Sequence, residues 1–360
     1  MADARRNDRT EARRSEVKIL VRATNWVGDA VMAIPALEAL RAREPRAEIT
    51  IAARESITEL YRGQAFADRL VSLGASKNAR QENNMGCAAF GGERFNFGVA
   101  LPNSFASAWF LVRAHAKERI GYARDGRRWL LTRPVSKPRR GEIPAHETYY
   151  YLELLRRAGW IEKLPEVEQV RLRVDAEDIA RAREKLRSLG AGEFAVALAA
   201  GASYGAAKCW PAERYAAVAN RLVDEMGASI VLLGMAGERE IGMRIAGAMR
   251  RPAIDLIGET SARELAPLLA ACRLFLGNDS GAMHVAAAVG LPVVAVFGST
   301  DPEGTAPLTL RRSLVRRPVS CSPCFLRYCP VDHRCMTRIS VEDVFQATRG
   351  QIEERADGER

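Results

Sequence analysis

The feature that most constrains the fold is an alternation, run through twice, of short apolar segments with longer amphipathic ones. It argues for parallel strands, because a parallel neighbour is reached by a crossover helix and not by a tight hairpin. In the first half VKILVRA (17–23), AEITIAAR (47–54), FNFGVALP (95–102) and ERIGYA (118–123) read as strands. Helices are expected over 29–44 and through HETYYYLELLRRAG (146–159). A polar connection follows, with VRLRV (170–174) as a short strand and DAEDIARAREKLRSLG (175–190) as a capped surface helix.

The second half repeats the theme, with strands at EFAVALAAG (193–201), SIVLLG (229–234), AIDLIG (253–258), RLFLG (273–277) and PVVAVFGS (292–299). Helices are expected between them over 211–226, 238–249, 261–272 and 281–289. Pro211 suits a first helical position, and Ser261 with Glu264 forms a capping box. The expected architecture is α/β: two Rossmann-like doubly wound domains, 17–170 and 171–345, facing a cleft. A chain of 360 residues is long enough for both cores. Residues 1–16 read as a disordered leader and 346–360 as a C-terminal tail. The polar start lacks a signal peptide's apolar stretch, and no apolar run reaches the roughly 18–20 residues of a membrane span. A cytoplasmic location is therefore expected.

Cofactor fingerprints narrow the chemistry. No G-x-G-x-x-G follows a strand and no G-x-x-x-x-G-K-[ST] occurs, so dehydrogenase and NTPase readings fall away. No Asp-x-Asp pair stands at a strand end to hold a divalent ion on a diphosphate. Four other segments stand at strand ends. In NWVGDAVMAIPAL (25–37) Gly28 permits a tight turn, and Asp29 is either a helix N-cap or a general base for an attacking hydroxyl. In GASYGAAKCWP (201–211) Gly201 and Gly205 let backbone amides approach a ligand, with Ser203 and Lys208 beside them. That set suits a pyrophosphate, or is a plain solvated loop. In LGNDSGAMHVAAAVGLPVVAVFGSTDP (276–302) a strand runs into Asp279-Ser280-Gly281, where a helix N-terminus offers free N–H groups to phosphate. Asp279 suits a sugar hydroxyl, and His284, within that helix, has a binding role. Glu238, after the strand ending at Gly234, is placed to meet ribose hydroxyls.

Charge adds a further element. Residues 113–140 hold ten lysines and arginines against Glu118 and Asp125. Such a field attracts phosphorylated saccharide, acidic lipid or nucleic acid, or is simply a solvated surface. The run shows no regular interleaving of aromatics, which argues against a surface that stacks RNA bases.

Together, in this order, NWVGDAVMAIPAL, GASYGAAKCWP, LLGMAGERE and GNDSGAMHVAAAVGLPVVAVFGSTDP resemble glycosyltransferase family 9. LPNSFASAW (101–109), RIGYARDGRRWLLT (119–132) and HETYYYLELLRRAG extend the resemblance over about 17–345, and Trp26 favours the branch that adds the second heptose. The resemblance implies a GT-B fold and an inverting, metal-independent transfer from ADP-heptose to phosphorylated Kdo–lipid A, at the inner leaflet of the inner membrane. It makes Asp29 the base, Lys208 a ligand of the donor phosphates, Glu238 a ligand of the ribose, and Asp279-Ser280-Gly281 with His284 the diphosphate and heptose element. Arg119, Arg124, Arg127 and Arg128 of the basic run would meet the acceptor, and no nucleic acid is expected. Transfer of the first heptose, another nucleotide sugar, or a non-catalytic nucleotide-sugar or nucleic-acid binder are the alternatives. One segment departs from the family pattern. Cys321, Cys324, Cys329 and Cys335 have the spacing of a structural four-thiolate zinc site, with His333 as a spare ligand. An iron–sulfur centre or four reduced thiols are the other readings.

Overall fold

The computed structural model describes residues 17–74 and 79–358. The expected leader, 1–16, lies outside them. The chain forms two compact units that meet between Glu166 and Val167, and each is built on a six-stranded, all-parallel sheet.

In the first unit the order along the chain is β1 (Lys18–Arg22), α1 (Val27–Arg43), β2 (Glu48–Ala53), α2 (Glu55–Leu60), β3 (Arg69–Ser72), α3 (Ala79–Ala89), β4 (Phe95–Ala100), α4 (Phe105–Arg113), β5 (Ala116–Tyr122), β6 (Arg133–Val135) and α5 (Glu147–Arg157). Its sheet order is β3-β2-β1-β4-β5-β6. The second unit runs α6 (Ala176–Ser188), β7 (Ala195–Ala199), α7 (Ala212–Met226), β8 (Ser229–Leu232), α8 (Arg239–Ala248), β9 (Ile254–Asp255), α9 (Ala262–Ala271), β10 (Leu274–Asn278), α10 (Gly281–Ala288), β11 (Val293–Phe297), α11 (Pro302–Thr305), β12 (Arg312–Arg316), α12 (Arg334–Thr337) and α13 (Val341–Gly358). Its order, β12-β11-β10-β7-β8-β9, is the same pattern read from the other edge.

The central strands are nearly all apolar because helices cover both sheet faces: Ala195–Ala199 and Val293–Phe297 are buried at every position. Three strands escaped the sequence reading, β3, β6 and β12, and all three are sheet edges. Their mixed sequences, RLVS, RPV and RSLVR, reflect a partner on one side only.

Other expectations need correction. VRLRV is not a strand: Val170 N donates to Leu308 O at 3.1 Å and Leu172 N to Ala288 O at 2.8 Å, so its amides find loop and helix-end carbonyls. Pro211 is the N-cap of α7 and not its first residue. The Ser261–Glu264 capping box of α9 is present as expected. The segment set apart as a tail continues α13 as far as Gly358, and Phe345 and Thr348 on it are buried.

Candidate active site

In an open parallel sheet, ligands bind beyond the carboxyl ends of the strands, where the strand order reverses. That point lies between β7 and β10 in the second unit. The two loops that leave it carry the predicted donor residues. Lys208, from the loop after β7, donates from Nζ to Oδ2 of Asp279, at the end of β10, at 2.6 Å. Thr300 Oγ1 donates to the same oxygen at 2.7 Å. Asp279 is buried, so its charge is balanced by a lysine that is itself largely enclosed. Asn278 joins the two loops: its Oδ1 accepts from Trp210 N at 3.1 Å and Tyr215 OH at 2.7 Å, and its Nδ2 donates to Ala200 O.

Ser280 is the N-cap of α10, accepting from Met283 N at 3.4 Å, and the helix opens at Gly281. His284 is buried in its first turns. Glu238 lies across the ends of two strands. Its Oε2 accepts from Met235 N at 2.8 Å, and a Cβ at Gly201 would fall 2.2 Å from its Cδ. Gly201 is therefore required for space and not for chain flexibility. Burial pushes the Glu238 carboxyl above its ordinary range, against the pull of the Met235 amide. Ser203 is exposed, its hydroxyl 3.4 Å from Met235 Sδ.

The cysteine-rich loop packs against these same elements. Ala207 N donates to Arg327 O at 2.9 Å, Tyr204 OH to Phe325 O at 2.8 Å, and His333 Nε2 lies 2.9 Å from Ala207 O. Cys324 N and Phe325 N both donate to Ser299 O, at 3.1 and 2.8 Å. All four cysteines are free; Cys321 and Cys329 are exposed, Cys324 is half-buried and Cys335 is buried. Among the described residues no group of three or more His, Cys, Asp or Glu side chains is placed to hold a metal ion.

In the first unit the strand order reverses between β1 and β4, and Asp29 follows β1. Asp29 is the third residue of α1, which begins at Val27, so it is not the N-cap and Gly28 is helical rather than a turn residue. The helix N-terminus favours a carboxylate there. Helix α1 packs on α5, whose first residue is Glu147. Burial, with the charge of Asp29 added, raises the Glu147 carboxyl to about 7, while Lys137 pulls it down. Tyr61 and Tyr151 are buried beside the same centre, and both hydroxyls are pushed up by burial and then by Asp29. Sequence reading missed Glu147. Nothing in its spacing ties residue 147 to residue 29; only the packing of two helices does.

The four arginines assigned to an acceptor do not act alike. Arg127 is 0% exposed. Its guanidinium donates to the carbonyls of Tyr122 (2.9 Å), Ser104 (3.1 Å) and Pro102, and to Ser107 Oγ (2.9 Å). Burial lowers it to about 10, so it stays charged at neutral pH and holds loops together; it is not a surface ligand. Arg119 is likewise spent on Leu130 O (2.7 Å) and Ala116 O (2.9 Å). Arg124 and Arg128 are exposed. Between them and α4, Trp129 (70% exposed) packs against Phe105 (45%) with ring centroids 5.8 Å apart and planes tilted by 55°, and Trp109 (39%) lies one turn further along the helix.

Comparison with known proteins identifies the family. Residues 88–334 match the profile of glycosyltransferase family 9 (heptosyltransferase). The chain is 30% identical over 312 residues to lipopolysaccharide heptosyltransferase 2 of Escherichia coli K12, across 83% of this chain and 88% of that protein. It is 29% identical over 313 residues to lipooligosaccharide heptosyltransferase 2 of Haemophilus ducreyi, with the same coverage, 83% and 88%. The solved structure of E. coli ADP-heptose lps heptosyltransferase II matches with a TM-score of 0.78 at 27% identity, across 94% of this chain and 100% of that one. A thioredoxin profile matches residues 2–68. That span contains no cysteine, so it lacks the thiols such chemistry uses.

Proposed function

Because the chain belongs to glycosyltransferase family 9, we propose that it transfers L-glycero-D-manno-heptose from ADP-heptose, with inversion, to the heptosyl-Kdo–lipid A inner core of lipopolysaccharide. The observation that carries the reading is the second unit's switch point, where Lys208, Glu238 and the N-terminus of α10 stand around two loop ends. Adenosine diphosphate fits that chemistry. Glu238 meets the ribose hydroxyls, Lys208 and the amides at Ser203 and at Ser280–Gly281 meet the diphosphate, and Asp279 with His284 meets the heptose. Both bonds to Asp279 fall on Oδ2, which leaves Oδ1 for a sugar hydroxyl.

In the transfer step Asp29 takes the proton of the acceptor hydroxyl as that oxygen attacks the anomeric carbon. The bond to ADP breaks on the opposite face, and the charge that builds on the leaving diphosphate meets Lys208 and the helix N-terminus. Glu147, raised to about 7 by burial and by Asp29, is only partly ionised at neutral pH and so limits the negative charge around the base. No catalytic cofactor takes part.

Arg124 and Arg128 face the phosphorylated Kdo–lipid A. The exposed Phe105, Trp109 and Trp129 beside them suit peripheral contact with the inner leaflet from the cytoplasmic side, since aromatic rings favour the headgroup layer. No helix among the described residues is long and apolar enough to cross a membrane. A structural Zn²⁺ on Cys321, Cys324, Cys329 and Cys335 rests on their spacing alone and has no part in the chemistry. A zinc-to-protein ratio near zero, in protein purified without chelator, ends that reading.

Incubation with ADP-heptose and either heptose-free or mono-heptosylated Kdo–lipid A tests the function. Mass spectrometry should show one heptose gained by the mono-heptosylated acceptor. Gain on the heptose-free acceptor alone moves the protein to the first-heptose step, and gain on neither rejects the proposal.

A further inference from the structure

Lys208 cannot by itself balance a bound diphosphate. Its ammonium lies 2.6 Å from the buried Asp279 carboxylate, so the pair is close to neutral before any ligand arrives. A diphosphate linkage is a dianion, and a helix N-terminus supplies only about half a positive charge. Lys208 and the helix N-terminus together leave the site short of positive charge.

The cysteine-rich loop brings one. Two cations lie near the ring of Tyr204, in the loop after β7: Lys208 Nζ is 5.3 Å from its centroid and Arg327 Cζ is 5.2 Å from it. Arg327 is exposed, and among the described residues its guanidinium has no acidic partner. Its backbone, by contrast, is fixed. Arg327 O accepts from Ala207 N at 2.9 Å, and a Cβ at Gly205 would fall 2.4 Å from that oxygen. Gly205 thus permits the two loops to touch, and the contact sets where the guanidinium emerges. A guanidinium held over a tyrosine face keeps its fork of donors for an anion.

We propose that Arg327 is a donor-binding residue, a second cation on the diphosphate that acts with Lys208 beside the Tyr204 ring. The assignment rests on the donor site proposed above. Lys208, tied to Asp279, then serves mainly to orient, and Arg327 supplies the uncompensated charge.

Calorimetric titration of the full chain with ADP and with adenosine tests this. Arg327→Gln should weaken ADP binding about tenfold, the scale of one charge-assisted contact, and leave adenosine binding unchanged. Arg327→Lys should recover part of the loss, and the wild-type advantage should shrink as salt is raised. Equal ADP affinity in Arg327→Gln and wild type overturns the proposal. An equal loss for ADP and adenosine also overturns it, because the residue would then only support the loop. If wild-type protein binds no ADP, the donor site itself is misassigned, and that result is read before any variant is made.

Discussion

Asp29 and Asp279 each stand just past a strand at the point where their sheet's order reverses, in two units that share one strand order. Their surroundings differ. Asp279 is buried, with a lysine and a threonine hydroxyl both bonded to its Oδ2. Asp29 is half-buried in a first helical turn and faces Glu147, Tyr61 and Tyr151, all of whose pKa values its charge raises. One unit surrounds its acid with cation, as a site for phosphate and sugar needs. The other surrounds its acid with groups that resist ionisation, as a proton-accepting site needs. The same topology therefore yields opposite electrostatics, and the difference comes from the side chains that packing brings in.

The sharpest break of this contrast is Asp29→Asn. Loss of a general base should lower turnover by about 10²–10⁴ while ADP affinity, measured by titration, stays near wild type. Wild-type turnover in that variant would leave Asp29 as a helix-terminal acid and nothing more.

Lys208→Ala comes next. It should weaken ADP binding and also strand the buried Asp279 charge, a loss of about 3–5 kcal/mol on the scale of broken buried pairs. Adding Asp279→Asn should restore much of the melting temperature but not the donor affinity. A single variant that melts like wild type would show that the pair is not effectively buried.

A smaller effect is expected from pH. Folding raises Glu147 from its ordinary 4.5 to about 7, so the folded state binds that proton more tightly. The stability this brings is full below the ordinary value and is lost as pH rises through about 7. Wild-type melting temperature should fall across that window relative to Glu147→Gln. Parallel pH profiles for the two proteins would remove Glu147 from the pair.

The smallest expected change is with excess EDTA, which should leave initial transfer rates within about twofold, because lysine, arginine and helix N-terminus take the place of a divalent ion. The acceptor's own aggregation by divalent ions has to be controlled for. Collapse restored by Mg²⁺ alone would overturn that mechanism, whereas restoration only by Zn²⁺, after slow loss of structure, would point to the cysteines.

Much of this protein was determined by its sequence alone. Doubly covered strands such as AVALA and VVAVF announce themselves because burial on both faces demands continuous apolar residues. Lys208, Glu238 and Asp279 were legible for a related reason, as each follows such a strand and strand ends are where an open sheet binds ligands. The edge strands β3, β6 and β12 were not legible, since half-covered segments carry arginines like any loop. Only the tertiary structure decided which charges are available. It buried Arg127 among carbonyls, tied Lys208 to Asp279, set Glu147 near Asp29 and laid Arg327 over Tyr204. The physical reason is range. Strand and helix patterns are set by neighbours a few residues apart, whereas a side chain's charge state and its partners are set by groups distant in sequence that only packing brings within a few ångströms.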